Sequence, residues 1–234
     1  MKHPQGAPMQ APYADGGKEV VPCPETGGSG GMSDPARKIH RMTIEEFLAW
    51  DDGSGIDYEL YLGEPVPRHI RYVNGRPVAQ AAASAEHAAI VANVAGELRN
   101  RLRLPCRAFS DAGVARPDKE QSYYKPDVLV SCVGGRIPGW IVPNPILIVE
   151  VLSRGTAGFD EGPKLSAYCA LPSVQAVLFV EPLKPEARLV RRVGDRWELE
   201  FLNGLDAAAR IDALDLDLPL AEIYRGVAFE DDRP

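Results

Sequence analysis

The stretch that decides the fold lies between residues 126 and 164 and contains three segments, Pro126-Asp127-Val128-Leu129-Val130, Ile146-Leu147-Ile148-Val149-Glu150-Val151-Leu152 and Asp160-Glu161-Gly162-Pro163-Lys164. The first two are apolar, and a connection rich in proline and glycine separates them, so each predicts a buried strand. Each strand carries one carboxylate, Asp127 or Glu150. A charge in a buried strand is costly unless it is paired or bound to a metal. We therefore expect a divalent cation between adjacent strands, with Lys164 close by.

The composition is ordinary for a soluble globular protein, with 45% hydrophobic and 25% charged residues in a chain of 234. The sequence contains neither an apolar run long enough to span a bilayer nor a basic-then-apolar signal at its N-terminus. It therefore predicts a cytoplasmic protein with no membrane partner.

The formal net charge of −7 gives no overall attraction to nucleic acid. Binding to nucleic acid would therefore need local basic patches. Two groups of arginines are candidates: Arg99, Arg101, Arg103 and Arg107, and Arg188, Arg191, Arg192 and Arg196. For each group alone, a solvated helix face or an exposed hairpin is the simpler interpretation.

The four cysteines are scattered and include no C-x-x-C pair, which argues against a zinc site and against a disulfide framework. Cys132 and Cys169 lie in apolar runs. We expect both to be buried thiols.

The domain organisation is predicted as a disordered extension at residues 1–38, one domain at residues 39–228 and a tail at residues 229–234. The extension is rich in glycine and proline and has too little apolar content for a core. Organised sequence begins at Thr43, which forms a capping box with Glu46 and so predicts a short helix.

The order of the predicted elements indicates an α/β (α+β) fold with a mixed sheet flanked by helices. A small antiparallel β region precedes a helix that begins at Ser84 and ends near residue 104. Further elements follow in order: strands at 107–115, 123–132 and 146–153, a helix at 163–170, a strand at 174–180 and a hairpin at 188–202. His87 lies in the first turn of the main helix, either as a core or capping histidine or at the rim of a site.

The chemistry of the central segments is that of a metal-dependent phosphodiesterase. A carboxylate two residues before a lysine on one strand, facing an aspartate on the neighbouring strand, would hold Mg²⁺ and position a charge near phosphate. Position 152 is leucine, so the usual lysine is missing. Lys164 could replace it from the following helix, although a lysine at a helix start can also project into water.

Several motifs together resemble the PD-(D/E)XK nuclease superfamily and, within it, the Uma family of putative restriction-endonuclease-like proteins of bacteria. The core motifs are Pro126-Asp127, Ile148-Val149-Glu150-Val151-Leu152-Ser153, Asp160, Lys164 and Tyr168. Supporting motifs are the helix opening at 43–48, Tyr58-Glu59-Leu60 with Gly63-Glu64, His87, and Leu218-Pro219-Leu220-Ala221-Glu222-Ile223-Tyr224. The resemblance covers roughly residues 42–227.

The resemblance implies a restriction-endonuclease-like core that cleaves DNA with Mg²⁺ or Mn²⁺. Asp127 and Glu150 would be the metal ligands, and Lys164 would be the relocated lysine that orients water or stabilises phosphate charge. His87, Glu59 and Arg154 are possible supporting residues. Cleavage of a duplex needs two active sites, so a homodimer is expected.

The sequence departs from the family pattern in the loop after Glu150, which is Ser153-Arg154-Gly155-Thr156 where the family usually has Ser-Pro-Ser-Thr. Arg154 could contact phosphate there. Among further carboxylates, Glu97 lies too far along the helix, and Glu59 and Glu86 are weaker candidates. Asp160 is expected to cap a helix.

Two alternatives to a nuclease are open. A protein can keep a nuclease fold and lose cleavage, serving instead as an interaction or assembly module. A glycosidase with two carboxylates is the other, but Lys164 and the strand-borne acidic pair fit a metal site better.

Overall fold

The computed structural model describes residues 41–68, 70–73, 76–79, 83–115, 122–152, 162 and 164–229, together with a strand at 18–21. The helices are α1 (Ile44–Ala49), α2 (Ala85–Arg101), α3 (Leu165–Cys169) and α4 (Leu220–Ile223). The strands are β1 (Lys18–Val21), β2 (Tyr58–Tyr61), β3 (Glu64–Pro67), β4 (Ile70–Val73), β5 (Arg76–Ala79), β6 (Arg107–Ser110), β7 (Val114–Ala115), β8 (Tyr123–Tyr124), β9 (Val128–Ser131), β10 (Pro145–Val151), β11 (Ala176–Val180), β12 (Glu186–Val193), β13 (Arg196–Asn203), β14 (Ala208–Ile211) and β15 (Leu216–Pro219).

The central sheet has seven strands in the order β1-β13-β12-β11-β10-β9-β6. Strands β10 and β11 run parallel, whereas the other neighbouring pairs described in this sheet are antiparallel. Parallel neighbours need a crossover connection, and α3 lies in that connection. The predicted mixed sheet with flanking helices is confirmed.

The two faces of the central sheet pack against different elements because side chains alternate along each strand. On β10, Leu147, Val149 and Val151 join a core cluster with the buried stripe of α2. Ile148 and the neighbouring Leu152 join a second cluster that includes Tyr168 of α3. Glu150 belongs by register to this second face.

A smaller sheet, in the order β3-β2-β8-β7, packs on the second face of the central sheet. Leu60 of β2 pairs with Tyr123 of β8, and both side chains pack against Phe47 of α1. Thr43 caps α1 through the predicted reciprocal hydrogen bonds with Glu46. This sheet brings β2 over the end of β10.

Several predicted strands are interrupted, and the breaks matter for the site. The strand predicted at 107–115 divides into β6 and β7, with Asp111 at a φ of 56° after the end of β6. The strand predicted at 123–132 divides into β8 and β9 around Pro126, which cannot donate a ladder hydrogen bond. Asp127 therefore lies directly before a strand and not inside one.

The N-terminal prediction is wrong for four residues, because residues 18–21 form β1 and pair antiparallel with β13. Without β1, β13 would present an unpaired backbone edge on that side. Composition predicts the lack of a core in this segment, but it carries no information about an open sheet edge elsewhere. The other residues of 1–38 lie outside the described part of the chain.

The cysteine prediction is wrong for Cys132, which forms a disulfide with Cys106. Strands β6 and β9 pair with Arg107 opposite Ser131, so the two cysteines that flank this pair lie opposite each other, with Cα atoms 3.7 Å apart. Strand register decides this pairing. Cys169 is a buried thiol, as predicted.

Within the described ranges, no helix is both long and apolar enough to cross a membrane.

The C-terminal helix is held to the sheet by a buried tyrosine. The hydroxyl of Tyr224 lies 2.8 Å from the carbonyl oxygen of Glu181 and 2.7 Å from that of Glu186, and it donates to this pair. We expect Tyr224→Phe to lower the free energy of unfolding by about 1–3 kcal/mol, because buried carbonyls lose their donor. Urea unfolding measures this. Tyr58→Phe is the control, since the Tyr58 hydroxyl bonds an exposed carboxylate. Equal losses in the two variants would contradict the assignment.

Candidate active site

Five buried charged or titratable side chains converge where the small sheet meets the end of β10. They are Glu59 of β2, His87 in the first turn of α2, Asp127 before β9, Glu150 of β10 and Lys164 before α3. Val149 pairs with Val128, so the next positions along the two strands are Glu150 and Asp127. The predicted meeting of the two carboxylates on adjacent chain segments is confirmed.

Asp127 is held on three sides. Its Oδ2 accepts the backbone N–H of Val151 at 2.8 Å and lies 3.2 Å from Nε2 of His87. Its Oδ1 accepts from Nη2 of Arg68 at 2.8 Å. Burial raises the pKa of the Asp127 carboxyl, but the hydrogen bond from His87 and the charge of Arg68 outweigh burial and hold this pKa below its ordinary value.

His87 joins the site and also belongs to the helix start. Its backbone N–H donates to Oγ of Ser84 at 3.2 Å, which confirms the predicted N-cap. Its imidazole contacts Asp127. His87 therefore belongs to the capped first turn of α2 and also lies at the site, because this turn places its ring at the carboxylate of Asp127.

Lys164 lies between two carboxylates. Its Nζ is 2.9 Å from Oε2 of Glu59 and 3.4 Å from Oε1 of Glu150. Tyr168 donates its hydroxyl to the same Oε1 of Glu150 at 2.6 Å. The lysine is 4% exposed, so it faces Glu150 as predicted and does not project into water.

Glu59 takes a more central place than the sequence suggested. Its Oε1 accepts the backbone N–H of Lys125 at 2.8 Å while its Oε2 pairs with Lys164. The hydrogen bond to Lys125, just after β8, fixes the carboxylate in the interior. The Tyr58-Glu59-Leu60 motif was the signal for this residue.

An outer ring of charges, unforeseen in the sequence, surrounds Arg68. Its Nη1 contacts Asp57 at 3.3 Å and forms a close ion pair with Asp111. Lys125 Nζ lies 3.0 Å from both oxygens of Asp57 and 3.1 Å from Asp111. These residues come from separate connections with no periodicity or motif, so only their meeting in space identifies them.

The donor set can be tested against a divalent cation. The described cluster contains three permanent cations and five carboxylates, from Asp57, Glu59, Asp111, Asp127 and Glu150. Among the described side chains, no three of His, Cys, Asp or Glu form a ready metal cage. Mg²⁺ commonly takes one or two protein carboxylates and fills its shell with water and phosphate. Asp127 and Glu150 therefore fit Mg²⁺ or Mn²⁺ as a two-carboxylate site with an excess of negative charge nearby.

The remaining candidates do not join this site or cannot be placed. Arg154 and Asp160 lie outside the described residues. Glu97 pairs with Arg101 at 3.0 Å along the polar side of α2, and Glu86 is exposed.

Arginines of both candidate patches make contacts within the protein. Arg101 pairs with Glu97, and Arg191 pairs with Glu200 at 2.6 Å. Arg192 donates to backbone carbonyls, among them that of Val174, and covers the ring of Trp197. The exposed Arg101 agrees with a solvated helix face, whereas Arg191 is buried, so the interpretation of the second group as an exposed hairpin is wrong for this residue.

Comparison with known proteins agrees with this geometry. Residues 44–221 match the model of the Uma2 family, described as a putative restriction endonuclease. The chain belongs to the Uma2 family. The resemblance predicted from the motifs is therefore confirmed.

Two relatives of this Uma2 protein occur in Synechocystis, and both are uncharacterized. The chain is 27% identical to slr1290 over 204 residues, which cover 83% of this chain and 97% of the relative. It is 36% identical to sll1609 over 93 residues, covering 38% of this chain and 52% of the relative.

A solved structure shares the fold. It is the crystal structure of a putative nuclease belonging to DUF820 from Anabaena variabilis, which matches with a TM-score of 0.57 and 17% sequence identity. The match covers 80% of this chain and 99% of the other. The predicted restriction-endonuclease-like fold is confirmed.

The outer ring predicts a pH dependence of stability. Burial raises the pKa of the Asp57 carboxyl, but Lys125 and Arg68 outweigh burial, so this pKa is lowered in the folded protein. An unfolded aspartate titrates near about 3.9. The stabilisation is therefore present above that pH and is lost as the pH falls through the lower folded value.

We expect the stability difference between wild type and Asp57→Asn to be constant above about pH 5 and to shrink as the pH falls from the unfolded value of about 3.9 through the lower folded value, where the wild-type carboxyl becomes protonated. Urea unfolding with a chelator present measures it. Asp195→Asn, in the exposed turn between β12 and β13, is the control and should show a nearly constant difference. A constant difference for Asp57→Asn as well would refute the assignment.

Proposed function

We propose that this Uma2 protein is a metal-dependent endonuclease that hydrolyses phosphodiester bonds in DNA. One observation carries the proposal: Lys164, Glu150 and Asp127 meet in the interior. The buried Lys164 contacts Glu150, and Asp127 accepts a hydrogen bond from the backbone N–H of Val151, the residue after Glu150. Two carboxylates and an ammonium group on adjacent segments are the groups that metal-assisted phosphate hydrolysis requires.

Asp127 and Glu150 would hold Mg²⁺ or Mn²⁺, which when bound polarises the phosphate and lowers the pKa of a water. Val151 N–H and His87 orient Asp127, and Tyr168 orients Glu150. Lys164 provides a fixed positive charge that orients the attacking water or stabilises charge developing on phosphate. The buried surroundings strengthen that interaction relative to water.

A second function is favoured by a different observation. Asp127 has Arg68 and His87 beside it, and Glu150 has Lys164, so both carboxylates have partners without a metal. Such a site also suits a nuclease-fold protein that serves as an interaction or assembly module. Calorimetric titration with Mn²⁺ separates the two, because an abandoned site has no reason to bind the ion.

The direct test is cleavage of supercoiled plasmid DNA with Mg²⁺ or Mn²⁺, compared with the same mixture containing EDTA. We expect nicked and linear products only with the metal, and none from Asp127→Asn. A parallel RNA substrate decides between the two nucleic acids. Light scattering tests the proposed homodimer, which would provide the two active sites that cleavage of a duplex needs.

A further inference from the structure

A cavity of about 530 Å³ opens beside the charged cluster. This volume lies in the range of small-ligand sites. Six aromatic residues line the cavity: Phe47, Trp50, Tyr58, Phe109, Tyr123 and Trp140. Nothing in the proposed hydrolysis uses these rings.

Trp140 is the most distinctive wall residue. Its side chain is 72% exposed, although its backbone is fixed. Its carbonyl accepts the N–H of Gly113 at 3.1 Å, and Val142 N–H donates to the Gly113 carbonyl at 2.8 Å. A large aromatic ring held in solvent by a fixed backbone is a stacking surface already in position. Trp50 and Tyr58 also line the cavity and form an aromatic pair, with ring centroids 5.1 Å apart.

The polar lining contains both hydrogen-bond donors and acceptors. Asp57, Asp111 and Lys125 all line the cavity. Lys125 lies within 3.1 Å of both carboxylates, and Arg68 contacts both as well. Asp51 and Asp52 also line the cavity and accept hydrogen bonds from backbone N–H groups of the residues that follow them, so the lining carries more carboxylates than cations. It therefore suits a neutral group that presents N–H donors to carboxylates better than it suits a phosphate.

The cavity is linked to the proposed catalytic carboxylates through one side chain. The guanidinium of Arg68 binds Asp127 with one nitrogen and Asp111 with the other. The carboxylate of Asp111 is 59% exposed, so it can accept further hydrogen bonds. A strand with its phosphodiester at Asp127 would therefore place a neighbouring base near Asp111.

From these observations we infer that the cavity binds one unstacked nucleobase of the strand that is cleaved, an inference that rests on the proposed nuclease function. The base stacks on the aromatic wall at Trp140, and its edge bonds Asp111 and Lys125. Guanine fits best, because its edge offers two adjacent N–H donors and a carbonyl. Thymine fits worst, because it offers one N–H donor. The preferred substrate is then single-stranded or locally unpaired DNA.

Tryptophan fluorescence tests the inference directly. The chain has three tryptophans, of which Trp50 and Trp140 line the cavity, whereas Trp197 is buried elsewhere. The full chain is titrated in EDTA, so that no cleavage occurs, with short oligothymidylates whose central position carries guanine, cytosine, adenine, thymine or an abasic site. We expect quenching and affinity to be greatest for guanine and least for the abasic site.

Two variants and one control locate the effect. Trp140→Ala should weaken binding of the guanine oligonucleotide roughly tenfold, the scale of one lost base–aromatic stack. Asp111→Asn should reduce the preference for guanine over thymine while stacking remains. Leu104→Ala, an exposed residue outside the cavity, should bind like wild type.

Equal affinity for the guanine and abasic oligonucleotides would overturn the inference. Quenching by an arginine-rich peptide without any base preference would also overturn it, since the cavity would then be a docking site for protein. Base-dependent quenching in EDTA supports the inference whether or not plasmid cleavage is observed. The quenching experiment can therefore contradict base binding in the cavity without contradicting the nuclease proposal, and the plasmid assay can do the reverse.

Discussion

Glu150→Gln is expected to lower metal-dependent DNA cleavage by roughly 10²-fold or more, the scale for losing a group that stabilises charge in the transition state. The amide keeps the size of the side chain and can still accept the hydrogen bond from Tyr168. The amide lacks the negative charge that pairs with Lys164 and that would bind the proposed cation. Cleavage of supercoiled plasmid, measured as an initial rate at saturating Mg²⁺, gives the effect.

The matched control is Glu200→Gln on β13. Glu200 forms an ion pair with Arg191 at 2.6 Å in the same central sheet but away from the site. Loss of a carboxylate there should leave the cleavage rate unchanged. Equal losses in the two variants would mean that a general loss of stability, and not the site, explains the effect.

Metal binding gives an independent measurement of the same assignment. Calorimetry should show weaker Mn²⁺ binding in Glu150→Gln and in Asp127→Asn, because each removes one of the two proposed carboxylate ligands. Undiminished Mn²⁺ binding in both variants would rule out the two residues as ligands even if cleavage were lost.

The sequence predicted the inner part of the site because its residues lie in regular segments or directly beside them. Asp127 and Glu150 stand out as single charges in apolar, β-branched runs, and the spacing to Lys164 made it the replacement for the lysine absent at position 152. A single charge in an apolar run can be recognised from the sequence without knowing how the strands are arranged in the sheet. The same local argument placed His87 on the capped end of α2.

The outer part of the site could not be predicted, for a physical reason. Arg68, Asp57, Asp111 and Lys125 lie in short connections where no hydrophobic period constrains them. Their importance comes from meeting one another across the boundary of two sheets. The aromatic cavity has the same origin, since Trp140 and Trp50 are brought together by packing of segments that are far apart in the chain.

The fold was predicted at the level of element order and less well at element ends. Composition and period gave the mixed sheet and its helices, but the breaks at Asp111 and Pro126 depend on which sheet each half joins. The strand β1 and the disulfide of Cys132 depend on pairing partners more than twenty residues away in sequence. Pairing of that kind is a property of the whole sheet.

The arrangement around Lys164 makes it the most informative position for mutation. Lys164→Met removes the ammonium and keeps most of the side-chain volume, so we expect a cleavage rate lower by roughly 10²-fold. It also leaves Glu59 and Glu150 buried without their shared cation. Removing one partner of a buried pair costs about 3–5 kcal/mol, so the variant is expected to unfold at lower urea concentration.

The double variant Glu59→Gln/Lys164→Met separates catalysis from folding. It removes one negative and one positive charge together, so the free energy of unfolding should return toward the wild-type value. If the ammonium acts on the phosphate or the attacking water, the cleavage rate stays low although stability recovers, and Mn²⁺ binding is retained through Asp127 and Glu150. Recovery of the rate together with stability would mean that Lys164 only balances charge in the folded protein. Glu59→Gln alone completes the cycle, and its rate should lie closer to wild type than that of any variant without the lysine.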